Sequence, residues 1–267
     1  MKHGDPRALE YRVTIGGLIA LAWRGWVACR WPIVLVGVPS MIADAGAYWL
    51  AFDLLEGRMP EGWREISLIW LSVPVRCIAF VSITYAAISH AQGHTRGARD
   101  VLRFPWRRVP AALAAGLIVQ TVSYWPLPLL DWTDAIGAGL FIDYAILTVN
   151  VLAFDVLFFV LLPVLLKEKQ PLVGTFRRSI RLAMYHPWRI LAVDAGLWIA
   201  YFVLDEPISQ AYYMIDAQWA TLAWNGMTTL LFVLIISLSC CLSAATYHLI
   251  RSEHEGPAPE VMARVFD

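Results

Sequence analysis

Long apolar stretches alternate with short polar ones along most of the chain. Residues 31–55, 65–91, 109–132, 135–166, 189–213 and 219–250 are each apolar enough and long enough to cross about 30 Å of hydrocarbon as a helix. The pattern predicts an all-α polytopic membrane bundle of six transmembrane helices. Residues 1–30 would form an N-terminal segment with an interfacial helix, 31–250 the membrane domain and 251–267 a tail. The fourth and sixth stretches are each 32 residues. At about 1.5 Å per residue that is roughly 48 Å of helix, so each must tilt, kink or run on past the membrane.

Shorter periodic segments lie between the long ones. From Leu172 to His186, Leu172, Phe176, Ile180, Ala183 and Met184 share one helical face while Arg177, Arg178 and Arg181 point elsewhere, and Pro171 suits the first turn. Residues 95–104 repeat the design more weakly, with Arg96, Arg99 and Arg103 on one stripe. Val13 to Trp23 is apolar over only 11 residues between Arg12 and Arg24, which is short for a span and suits a helix lying in the interface.

Each basic segment runs into a corner: Arg30-Trp31-Pro32, Pro105-Trp106-Arg107 and Pro187-Trp188-Arg189. Proline ends a helix, and tryptophan favours the boundary between membrane and water. The corner tryptophans Trp31, Trp106 and Trp188 are 75 and 82 residues apart. The chain therefore reads as three units, each a basic amphipathic interfacial helix followed by a hairpin of two spans.

Composition strengthens the membrane reading: 59% of residues are hydrophobic and 16% charged, against about half and a quarter in soluble domains. The 21 basic and 21 acidic residues cancel, so net charge gives no argument for nucleic acid. Their distribution gives the orientation. With the N-terminus inside, 18 of the 21 Lys and Arg face the cytoplasm, and of the rest only Arg58 and Arg64 lie outside. The positive-inside rule then predicts an inner-membrane protein with both termini cytoplasmic. The opening residues carry charges of both signs and no small-residue cleavage site, so no removable signal peptide is expected. Cys29, Cys77, Cys240 and Cys241 form no C-x-x-C pair and fit no zinc spacing, which suggests free thiols.

Ionisable residues inside spans are costly in lipid and should face the bundle interior or water. Asp44, Arg76, Asp143, Asp155 and Asp194 meet that description, with Asn150 beside them. Asp44 and Arg76 reach similar depth in an antiparallel hairpin and are expected to pair. Asp155 and Asp194 lie nearer the cytoplasm, where they would meet the basic segment 172–186 or the surface and serve as anchors. The six histidines all fall on the cytoplasmic side. His90 and His94 have i, i+4 spacing, but Gly93 interrupts them and no acid accompanies them, so no metal or other cofactor is expected.

The clustered arginines have a firmer consequence, since each attracts anionic headgroups by about 1 kcal/mol. Arg96, Arg99, Arg103, Arg107, Arg177, Arg178, Arg181 and Arg189 are the expected headgroup contacts, with anionic membrane lipid the implied partner. Ala111 with Ala115 and Ala112 with Gly116 are small pairs that allow close helix approach, within the bundle or between copies of the chain. No P-loop, dinucleotide fingerprint, nucleophile elbow or stacked aromatic platform for nucleic acid occurs.

The order of a basic amphipathic helix, then "RRSIRLAMYHPWRIL", then a span resembles bacterial six-helix integral membrane proteins related to the membrane domain of glycerophosphoryl diester phosphodiesterases. The likeness covers most of the chain, but its motif is loose, an Arg-Ser pair at Arg178 and Ser179. The catalytic phosphodiesterase motifs are missing, and "HTRG" at 94–97 has no acidic partner. The resemblance thus implies a membrane module without catalysis. Two functions follow: a non-catalytic protein that binds lipid or a protein partner and assists transport or assembly, or a small transporter with Asp44, Arg76, Asp143 and Asn150 as its polar path.

Overall fold

The computed structural model describes residues 14–43, 45–46, 61–92, 105–124, 140–168, 170–214 and 218–255. Among them every regular element is a helix. They are α1 (Ile15–Ala28), α2 (Arg30–Ala43), α3 (Glu61–Ala91), α4 (Val109–Tyr124), α5 (Leu140–Phe158), α6 (Leu161–Lys167), α7 (Leu172–Ala183), α8 (Pro187–Met214) and α9 (Gln218–Glu255). Among the described residues, four stretches are long and apolar enough to cross a membrane: Val73–Ala91, Thr148–Lys167, Pro187–Gln210 and Gly226–Glu255. A fifth arises if α1 and α2, which meet at 62°, are one broken span. This is an all-helical membrane protein. Of the six expected stretches, the third is described only as far as Tyr124, and the end of the first and the start of the fourth lie outside the described residues.

α9 is the centre. It packs against α1, α3 and α8, and near its C-terminal end against α6 and α7. Burial concentrates at that end, where Cys241, Ala244, Tyr247, Leu249 and Ile250 of α9 meet Ile83, Ala87 and Ile88 of α3 and Val160, Val164 and Leu165 around α6. The small residues of α4 do what their spacing suggested. Ala112 and Ala115 are buried, and a Cβ added at Gly116 would lie 3.2 Å from Val73 Cγ1, so a side chain there would have to press Val73 aside.

The corners take three forms. At Cys29 the chain bends and then passes through a π-helical turn, Ile33–Gly37, just after Pro32. A proline cannot donate to the carbonyl four residues back, and such a lost rung commonly shows as a local irregularity. Pro105 leads into a single 3-10 turn, Trp106–Arg108, before α4. Pro187 opens α8 as its first helical residue, where its missing N–H has no intrahelical acceptor to lose.

α1 differs from the short surface helix expected. It runs on through the exposed Arg24 to Ala28 and buries Leu18, Ala22 and Gly25, with the Trp26 indole N–H donating to Ser237 Oγ of α9 at 2.7 Å. A terminal arginine on an exposed face can reach water without ending its helix, so Arg24 is no boundary.

The long fourth stretch breaks at Phe159–Val160. The cause is local: Pro163 has no N–H for the Phe159 carbonyl, and Ser243 of α9 donates to that oxygen at 2.5 Å instead. Just before the break, Ser179 of α7 donates to the Leu157 carbonyl at 3.2 Å. Two serines on other helices thus satisfy backbone groups that the kink leaves open, which is what makes a kink tolerable in an apolar interior.

Candidate functional site

Between α3, α4, α5, α8 and α9 lies a cavity of about 480 Å³. Its wall is largely aromatic and aliphatic, and its polar groups include Arg76 from α3, Gln120 and Tyr124 from α4, Asp155 from α5, and Asp194 from α8, with the hydroxyls of Thr84, Ser239 and Ser243. Asp194, Trp198 and Tyr201 stand at i, i+4 and i+7, so one stripe of α8 carries an acid and two aromatic rings into the same space. Trp198, Asp155, Asp194, Tyr124 and Arg76 thus all border one space. The Arg76 guanidinium also sits over the Phe232 ring, 5.2 Å from its centroid. Asp194 is only 5% exposed, and its Oδ2 has no hydrogen-bond partner.

The residues singled out from the sequence separate here. Arg76, Asp155 and Asp194 come together in the cavity, away from the anchoring roles given to the two acids. Asn150 does not join them: its Nδ2 donates to the carbonyls of Val122 and Ser123, at 3.2 and 2.6 Å, and so ties α5 to the last turn of α4. Asp44, and with it the expected pair with Arg76, lies outside the described residues, and Asp143 is placed on α5. The aromatic members, Trp198, Tyr201 and Phe232, were not selected from the sequence, although the Asp194-Trp198-Tyr201 spacing was there to be read.

A second polar group occupies the end of the bundle where burial is densest. Arg178 of α7 donates to both carboxylate oxygens of Glu168, each at 3.2 Å, and bonds Glu255 at the end of α9. Tyr247 donates to Glu168 at 3.2 Å and accepts from Arg251 at 3.1 Å, while Arg251 also reaches Glu255 at 3.3 Å. Burial works against the charge on Arg178, but its hydrogen bond to Glu255 and its pairing with Glu168 outweigh that and raise its pKa. This clasp fastens α7 to α9 and to the segment after α6.

Next to it, His186, Glu253 and His254 are close enough for one ion. However, Arg189 Nη1 stands 3.3 Å from His186 Nδ1, and His186 Nε2 is 3.1 Å from Glu253. An arginine that donates to Nδ1 leaves the proton on Nε2, aimed at the glutamate, so the hydrogen bonds are satisfied among these side chains.

The remaining surface arginines are distributed as follows. α7 buries Thr175, Ser179, Leu182 and Ala183 against the bundle, with Phe176 edge-on to Phe158 at 5.2 Å. Its outer face carries Val173, Arg177, Ile180, Arg181 and Met184, all exposed, and Trp188 just beyond is 79% exposed. The docked face is thus the small and hydroxyl-bearing one, and Ile180 and Met184 of the apolar stripe look outward. Arg107 is exposed next to the exposed Trp106, whereas Arg189 is half-buried at His186. Arg96, Arg99 and Arg103 lie outside the described residues.

The fold and cavity define a class, an all-helical membrane protein with an acid-bearing internal cavity. No protein family, curated protein or solved structure matches the chain.

Proposed function

We propose that this is a non-catalytic, multi-pass bacterial inner-membrane protein of six spans in three hairpins, both termini cytoplasmic, that binds anionic lipid headgroups through its basic corners and assists transport or assembly. The observation that carries the reading is the outer face of α7. Exposed Arg177 and Arg181 alternate there with exposed Val173, Ile180 and Met184, and Trp188 follows. A helix with water alone on that side gains nothing from the apolar members. One lying at a membrane surface buries them in the acyl boundary while its arginines reach the headgroups. The same lipid surface, or a protein partner or second copy of the chain on it, would cover Trp106 and Arg107.

The test uses the full-length protein in nanodiscs with a minor fraction of anionic lipid, by counting anionic lipids retained against competing zwitterionic ones. Arg177→Gln with Arg181→Gln should weaken retention by about 2 kcal/mol, roughly thirtyfold, and salt should do the same to the native protein. Unchanged retention in the double variant contradicts the reading.

One observation favours a second reading, a small transporter: Arg76, part of the expected polar path, lines a cavity together with two acids. In sealed vesicles, a cysteine placed at Ser239 on the cavity wall should then react with impermeant thiol reagent from both sides. Labelling from one side only fits a binding cavity without transport.

A further inference from the structure

We infer that the cavity between α3, α4, α5, α8 and α9 binds a small organic cation with an apolar body, its positive group seated at Asp155 and Asp194 among the rings of Trp198, Tyr201 and Phe232. Three independent features point the same way. The first is the unfilled valence of Asp194, an acid buried in an apolar surround whose Oδ2 accepts nothing from the protein. Buried carboxylate oxygens in folded proteins are almost always hydrogen-bonded, and an unsatisfied one calls for a partner that the chain does not supply. The second is the neighbouring acid: Asp155 lines the same cavity, so a second carboxyl group is available to a cation that enters. The third is the wall. Trp198 and Tyr201 stand edge to face with ring centroids 6.3 Å apart, Tyr201 and Phe232 likewise at 6.2 Å, and all three line the cavity.

Aromatic faces attract cations through the ring quadrupole, and the attraction grows when the site is desolvated. Carboxylates beside an aromatic wall therefore select an ammonium-type group, and the remaining aliphatic wall selects an apolar body attached to it. At about 480 Å³ the space falls within the range of small-molecule sites. Arg76 is part of the same wall, stacked on Phe232. Its positive charge excludes a second cationic group on the ligand, so a singly charged molecule fits better than a polyamine. The inference does not depend on headgroup binding by α7, nor on whether the ligand crosses the membrane.

The probe is protonated N,N-dimethylbenzylamine, whose single N–H can donate to Asp194, titrated calorimetrically into the full-length protein in nanodiscs of zwitterionic lipid. Its neutral carbon analogue, benzyl dimethyl carbinol, has nearly the same shape and no charge. The cation should bind at least about tenfold more tightly than the carbinol, and Asp194→Asn, which keeps the size of the side chain, should remove most of that difference. Glu253→Gln, far from the cavity on the end of α9, should bind as the native protein does. If Asp194→Asn does not fold, Trp198→Leu serves in its place, since it should weaken the cation more than the carbinol. Equal affinity for cation and carbinol, an unchanged affinity in both cavity variants, or no binding of the cation at millimolar concentration would each overturn the inference.

Discussion

The clasp and the cavity treat charge in opposite ways. In the clasp, Arg178 spends its donors on Glu168 and Glu255, and Tyr247 and Arg251 close the remaining contacts. Every formal charge there has a partner from the chain. In the cavity, Asp194 keeps an oxygen with no hydrogen bond although it is as buried as the core around it. The difference teaches how to tell a structural polar cluster from one built to receive something. Satisfied networks hold helices together, and a buried carboxylate left unsatisfied on the wall of an aromatic-lined cavity marks a place where a ligand completes the structure.

The comparison can be broken most directly from the clasp. Arg178→Met removes the cation that bridges two acids, leaving Glu168 with Tyr247 alone while Glu255 keeps Arg251, so it should destabilise the protein by about 2 to 3 kcal/mol, read as a loss of thermal stability in nanodiscs. A variant as stable as the native protein would mean that the clasp is a surface decoration. The kink at Phe159–Val160 is the next largest. Ser243→Ala leaves the Phe159 carbonyl without the donor that stands in for Pro163, and should cost about 1 to 3 kcal/mol. Here Pro163→Ala offers a check: restoring the backbone donor should recover much of the loss in a Ser243→Ala background. The smallest effect belongs to Asn150. With its two hydrogen bonds to the last turn of α4 gone, Asn150→Ala should cost about 1 kcal/mol and increase amide exchange in that turn, without changing affinity for a cavity ligand. A lost ligand affinity would return Asn150 to the polar path.

Much of the architecture was legible because it depends on one-dimensional patterns. Hydropathy located most of the long helices, the Trp-Pro corners located three of the turns, and small-residue spacing anticipated a close helix approach at α4. The site was less so, because grouping acids by residue counts from the ends of spans assumes straight, parallel helices. Here α1 and α2 meet at 62°, α3 and α8 contain Pro74 and Pro207, and the fourth stretch breaks before Pro163. Equal counts then no longer mean equal depth, and Arg76 comes to share a cavity with Asp155 and Asp194. α7 shows a related limit. Its amphipathic pattern is plain in the sequence, but which face docks was decided by Thr175 and Ser179, whose small hydroxyl-bearing side chains fit close against the bundle and, at Ser179, meet an open carbonyl at the kink.

The contrast between satisfied and unsatisfied charge is tested most directly by comparing the thermal unfolding of Asp194→Asn and Arg178→Met, each in nanodiscs without added ligand. An unsatisfied buried acid is a strain on the empty protein, so neutralising it at constant size should leave the melting temperature unchanged or raise it, while the clasp variant falls well below the native protein. Should Asp194→Asn melt as far below the native protein as Arg178→Met, Asp194 would be a structural partner like Arg178, and the reading of the cavity as a site awaiting its ligand would be contradicted.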